Sequence, residues 1–101
     1  MKQYKIKVLW LRNNIAIAVD RLIGDSLFPM TYYYFWPRTD AWEQLKIELD
    51  SQPGLFAKDK VVILNQVTRI IDYWQENKKS VFPNLSELQS HFPDLICSGC
   101  Y

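Results

Sequence analysis

From Tyr32 the chain reads Tyr-Tyr-Tyr-Phe-Trp-Pro-Arg-Thr-Asp-Ala-Trp, and no other stretch restricts its folding as tightly. The five consecutive aromatic side chains, Tyr32 to Trp36, would point all round the axis of a helix. An extended segment accommodates them, because successive side chains face opposite sides and aromatic residues favour strands. Tyr32, Tyr34 and Trp36 then share one face, with Tyr33 and Phe35 on the other. Pro37 ends the strand, since it lacks an amide donor and drives Trp36 away from helical dihedrals. Asp40 and Glu43 have the spacing of a capping box, in an Asp variant of the Ser/Thr form, so a helix opens there. Trp42, just inside that helix, folds back onto the strand. Phe35, Trp36 and Trp42 are therefore expected in the core, and the tyrosines are divided between core and surface.

Upstream, Tyr4, Ile6, Val8 and Trp10 alternate with more polar positions, and Ile15 to Asp20 returns with the same period. Asn13-Asn14 can take the positive φ angles of a two-residue type I′ turn. That turn would set Trp10 opposite Ile17, Val8 opposite Val19 and Lys7 opposite Asp20. Gly24-Asp25-Ser26 and Pro29 read as a loop leading to an aromatic strand over 31–36. A first helix is expected from Ala41 to Asp50, stopped by Gln52-Pro53-Gly54. A second runs from Lys58 to Asn77, with Ile63, Leu64, Val67, Ile70, Ile71 and Trp74 on one stripe. A short third follows Asn84, which pairs with Glu87 as a cap, and stops at Phe92-Pro93. The fold class is α+β: an N-terminal β-hairpin plus a third aromatic-rich strand in a small antiparallel sheet, packed by two to three α-helices.

At 101 residues the chain is expected to form a single domain over 1–101. A net charge of +1 creates no overall field to attract nucleic acid, so an RNA partner must be met by a local basic patch. No apolar run approaches the roughly 18 residues of a membrane helix, and no secretion or transit signal is evident at the N-terminus. No membrane partner and no small-molecule substrate are expected. Catalytic residues, cofactors and metal are read as none: no phosphate-binding glycine loop occurs among the three glycines, and no nucleophile or zinc-protease motif occurs. Cys97 and Cys100 with His91 give one ligand fewer than structural zinc needs, and they lack the strand-to-helix setting of a redox pair. Incidental cysteines are the simpler reading.

Candidate anion-binding residues are the cations of the hairpin, Lys5, Lys7, Arg12 and Arg21, with Arg38 in the strand-to-helix turn. Lys58 and Lys60, at the start of the second helix, oppose its dipole, which hints at an anionic partner. The aromatic strand could instead stack bases or receive a protein.

Several segments together resemble a known family: Leu9-Trp10-Leu11, Asn14 to Asp20, Tyr33-Tyr34-Phe35-Trp36-Pro37-Arg38, Asp40-Ala41-Trp42-Glu43, Leu64-Asn65-Gln66, Tyr73-Trp74-Gln75 and Phe92-Pro93. The chain looks like a member of the plastid-specific ribosomal protein three family, and the similarity covers nearly its whole length. Cys100-Tyr101 departs from the family pattern. The resemblance implies a non-catalytic accessory protein of the small subunit of chloroplast-type or cyanobacterial ribosomes. Its partners would be small-subunit ribosomal RNA and neighbouring small-subunit ribosomal proteins. Land-plant members carry an extension with a transit peptide. This chain lacks one, which implies a plastid-encoded protein of the chloroplast stroma or a cyanobacterial cytoplasmic one. The alternative reading is a stand-alone protein-binding scaffold that uses the tyrosine-rich face.

Overall fold

A computed structural model describes residues 3–77 and 83–99. The chain begins with two long antiparallel strands, β1 (Tyr4–Trp10) and β2 (Ile15–Ile23), followed by β3 (Ser26–Pro29) and β4 (Tyr34–Trp36). Helices α1 (Ala41–Asp50), α2 (Ala57–Asn77) and α3 (Leu85–His91) come next, and β5 (Ile96–Gly99) closes the described chain. The α+β class and the helices match expectation, with α1 at its expected bounds and α2 opening one residue early. The sheet is larger than expected and is mixed: its order is β3-β2-β1-β5, with β4 also pairing β2.

Four elements correct the sequence reading. Trp10 pairs Ile15, Val8 pairs Ile17 and Ile6 pairs Val19, two residues from the expected register. A slip of two preserves the faces, because side chains alternate with period two. The observed register sets Ile6 against Val19, where the type I′ turn would have set it against Arg21. A four-residue loop, 11–14, replaces the tight turn, with the Leu11 amide donating to the Asn14 carbonyl at 3.2 Å. Among the described residues no non-glycine φ is positive, so Asn13 and Asn14 do not form a type I′ turn.

The second correction is β3, which occupies the stretch expected as loop. It pairs antiparallel with the end of β2, from Asp20 opposite Pro29 to Ile23 opposite Ser26, and Gly24 turns the chain at φ 60°. It is short, exposed along its length and ends in proline, all of which suit an edge strand and hide it from a periodicity argument. Third, the aromatic strand is shorter than expected. Only Tyr34 to Trp36 pair with β2, while Tyr32 and Tyr33 lie outside it. Tyr34 and Trp36 pack on the core as their alternation requires, but Phe35 faces outward at 37% exposure. Fourth, β5 lies parallel to β1, from Lys7 opposite Ile96 to Trp10 opposite Gly99.

Thr31 manages the change from β3 to β4 on one edge of β2. Its hydroxyl accepts from the Val19 amide at 2.9 Å, while the Val19 carbonyl accepts from the amides of Met30 and Thr31. The core lies between one sheet face and the helices, with Ile6, Val8, Trp10, Ile15, Ile17 and Val19 meeting Leu45, Leu49, Ile63, Val67, Ile70 and Trp74. Each such side chain, fully buried, contributes about 1.5–3 kcal/mol of transfer free energy. Asp40 caps α1 by accepting from the Glu43 amide at 3.1 Å, and Asn84 caps α3 by accepting from the Glu87 amide at 2.8 Å. Trp42 is half-buried and donates its indole N–H to the Leu64 carbonyl, tying α1 to α2. Trp74, fully buried, donates to the Leu11 carbonyl at 2.9 Å, which sets the end of α2 against the β1–β2 loop.

Candidate nucleic-acid interface

The expected cations fall into three groups. Lys7 and Lys60 are engaged within the protein. The Lys7 ammonium lies 3.0 Å from the buried Asp20 carboxylate, and it also sits 5.2 Å from the centre of the Tyr33 ring. The pair is diagonal, since Asp20 lies directly opposite Lys5. Lys60 reaches Asp50 at the end of α1 at 3.4 Å, and Lys46 reaches the same carboxylate at 3.2 Å. Hydrogen bonds from both ammonium groups hold the Asp50 carboxyl below its ordinary value. Lys60, a cation opposing the α2 dipole, therefore has an internal partner, and its position no longer points to an external anion.

Lys5, Arg12, Arg21, Arg38 and Lys58 form no ion pair among the described residues. They divide between the two ends of the sheet. Arg12 is exposed in the β1–β2 loop, and Arg38 follows β4, whose Trp36 is paired with Ile15 beside that loop. Lys5 and Arg21 lie at the opposite end, where Tyr4 pairs with Arg21. The Arg21 guanidinium stands 5.9 Å from the centre of the Tyr4 ring, a cation–π approach. Lys58 is exposed on the first turn of α2. Because α2 ends at the β1–β2 loop, its first turn belongs to the other end.

The Lys5 end opens into a groove of about 570 Å³ between the start of β1, the middle of α2 and the segment that joins α3 to β5. Its polar lining is Lys5, Gln66, Arg69, His91 and Asp94, with Tyr4 and Phe92 supplying rings. The sequence alone does not mark Arg69 or His91 as anion-binding. Arg69 reads there as one more polar residue on the outer stripe of α2, and nothing in the spacing of positions 5, 69 and 91 brings them together.

The outer sheet face carries Tyr33 and Phe35 at 41% and 37% exposure, and Tyr32 beside them is 78% exposed. Tyr34 turns toward α1, where its hydroxyl donates to Glu48. That hydrogen bond, with desolvation second, pushes the phenol up to about 12. Cys97 is half-buried and faces the core opposite Val8, and burial raises its thiol. Cys100, the other member of the expected pair, lies outside the described residues. Among the described residues no cluster of His, Cys, Asp and Glu could hold a metal ion.

Cations without carboxylate partners, an open groove and exposed rings are what the fold presents on its surface. Residues 30–77 match the model of the plastid and cyanobacterial ribosomal protein family, PSRP-3/Ycf65. The chain is 49% identical over 99 residues to the small ribosomal subunit protein cS23 of Gracilaria tenuistipitata var. liui, covering 98% of each chain. It is 44% identical, again over 98% of each, to the probable small ribosomal subunit protein cS23 of Synechococcus sp. (strain JA-3-3Ab). Identity to the cS23 protein of Mesostigma viride is 43% across 95% of this chain and 76% of that one. The chain belongs to the PSRP-3/Ycf65 family, non-catalytic small-subunit proteins of plastid and cyanobacterial ribosomes.

Proposed function

We propose that within the small ribosomal subunit this chain is a peripheral accessory that contacts ribosomal RNA through dispersed cations and neighbouring proteins through its outer sheet face. One observation carries the RNA part: Lys5, Arg12, Arg21, Arg38 and Lys58 have no carboxylate partner among the described residues, whereas Lys7, Lys46 and Lys60 do. A cation without an internal partner is available to a phosphate, and such contacts fix position without reading sequence. The net charge of +1 and the separation of the cations to opposite ends of the sheet support few phosphate contacts and a peripheral seat. Tyr32, Tyr33 and Phe35 support the protein contact, since large exposed aromatic groups are favoured at interfaces.

Co-sedimentation with small subunits over a salt series tests this reading. Arg12→Gln with Arg38→Gln and Lys58→Gln leaves Lys5, Arg21 and every internal ion pair untouched. Each phosphate that the variant no longer neutralises should make the log–log salt slope shallower by about 0.7–0.9. The RNA part fails if this variant stays bound with the parental slope, and the protein part fails if Tyr32→Ser/Tyr33→Ser, still folded, stays bound as tightly as the parent.

A further inference from the structure

We propose that the groove bounded by Lys5, Gln66, Arg69, His91 and Tyr4 is a seat for the sugar–phosphate backbone of a single-stranded RNA segment. Three elements that are remote in sequence supply its donors: Lys5 from β1, Arg69 from α2 and His91 from the end of α3. Neither Lys5 nor Arg69 forms an ion pair among the described residues, although Asp72 stands one turn from Arg69 on the same helix. Arg69 Nη1 instead donates to Gln66 Oε1 at 3.2 Å, an i, i+3 contact that steadies the guanidinium on the groove side of α2. A held, planar guanidinium presents paired N–H groups that match the oxygens of a phosphate.

The imidazole of His91 is steadied in its turn. It stacks on the Tyr73 ring at 4.3 Å between centroids and meets Phe92 edge-on at 4.6 Å. On the far wall Arg21 lies over the Tyr4 ring, adding a cation near the rim. Against these groups the lining holds one carboxylate, Asp94. Sequence distance explains why the site is not legible along the chain: the groove exists only once β5 has paired with β1 and brought the segment from His91 to Leu95 beside Tyr4.

An anionic backbone fits this lining better than a buried small molecule does, because the groove is open and its donors are spread over several elements. RNA is favoured over an acidic protein segment by the guanidinium fork, which matches phosphate oxygens in pairs, while the buried rings of Tyr4 and Phe92 form the floor beneath it. The proposal rests on the reading that this chain contacts ribosomal RNA, and it names where one strand would lie.

The test uses the full chain and a fluorescent 12-nucleotide oligouridine, with anisotropy measured across a potassium chloride series. Arg69→Gln with His91→Gln changes exposed side chains only and leaves all cations of the co-sedimentation variant in place. Binding is expected to weaken about fivefold to tenfold near 100 mM salt, and the salt slope to fall by about 0.7 for the one permanent charge removed. Asp94→Asn should move the other way, tightening binding about twofold to threefold, because a like charge leaves the site. A merely structural loss of the groove would weaken binding in both variants.

Parental affinity and slope in the Arg69/His91 variant would overturn the groove assignment, while loss in the Arg12/Arg38/Lys58 variant would leave the broader RNA reading standing. Competition by polyglutamate as effective as oligouridine of equal charge would overturn it in favour of a protein ligand. If the parent binds no oligouridine and cross-links to no RNA in isolated subunits, the groove and the reading beneath it fall together.

Discussion

Trp74→Phe is the most informative single change to the frame. The indole is fully buried, and its N–H donates at 2.9 Å to the carbonyl of Leu11, in the loop that joins β1 to β2. Phenylalanine keeps an aromatic ring but cannot donate, and it leaves space where the second ring lay. Removing the donor costs about 0.5–1.5 kcal/mol, because the half-buried Leu11 can recover part of its bonding from water. The smaller ring adds about 1–2 kcal/mol for poorer packing and residual cavity, at the low end of aromatic truncations. The sum is about 1.5–3.5 kcal/mol, a large share of the roughly 5–15 kcal/mol that holds such a protein folded. At about 4–8 °C per kcal/mol for a chain of this size, Tm should fall by about 6–28 °C. Thermal melts followed by far-UV circular dichroism suit the measurement, since other tryptophans complicate fluorescence. Urea titration should show a lower midpoint at an unchanged slope. A Tm within about 3 °C of the parent would refute the reasoning, because neither the burial nor the hydrogen bond could then be as described.

Asp50→Asn should lower Tm slightly at pH 7 and lose that effect once the folded carboxyl is protonated in acid. Lys46 and Lys60 depress the folded carboxyl below 3.8, so its contribution is present above that value and is lost as pH falls through the folded pKa. The difference between the two proteins should also shrink in high salt. In an absorbance titration at high pH, one tyrosine should ionise only near pH 12. Tyr34→Phe should abolish that late step. The stabilisation from a raised phenol is present below 10 and is lost as pH rises toward 12. Gly99→Ala should break the last β1–β5 pairing, because a Cβ there would lie 2.2 Å from the Trp10 carbonyl oxygen at a φ of 144°. Faster amide exchange at β5 would report it, with stability lower by about 1–3 kcal/mol.

The helices were legible because each carries its own local signals. Asp40 with Glu43 and Asn84 with Glu87 mark the starts, and the stripe from Ile63 to Trp74 marks the buried face. The strands were legible only as far as alternation reaches. Tyr4 to Trp10 could be read, but the register with β2 could not be, because Asn13-Asn14 is an acceptable turn and a slip of two leaves every face unchanged. β3 and β5 escape a periodicity argument because four residues are too few to show a period, and β5 finds its partner far along the chain. Among the candidate contacts, alternation already pairs Lys7 with Asp20, although directly across rather than on the diagonal observed, whereas no pattern announces that Lys60 is held by Asp50. That second pair depends on which elements become neighbours, and so does the meeting of Lys5, Arg69 and His91.

The parallel pairing of β5 with β1 also governs when the protein can finish folding. Its partners, such as Lys7 and Ile96, are about 90 residues apart, and contacts of that span slow folding because the intervening loop must first be closed. A growing chain can form the β1–β2 hairpin early and dock α1 and α2 upon it. Until the last described strand emerges, however, one edge of β1 stays open and Trp10 lacks Phe92 against its ring. An open edge invites pairing with another chain. The same late strand anchors the wall of the Lys5 groove, so a chain halted before Ile96 would expose a sticky edge and lack that wall. Topology alone would thus distinguish a chain that has formed this strand from one that has not.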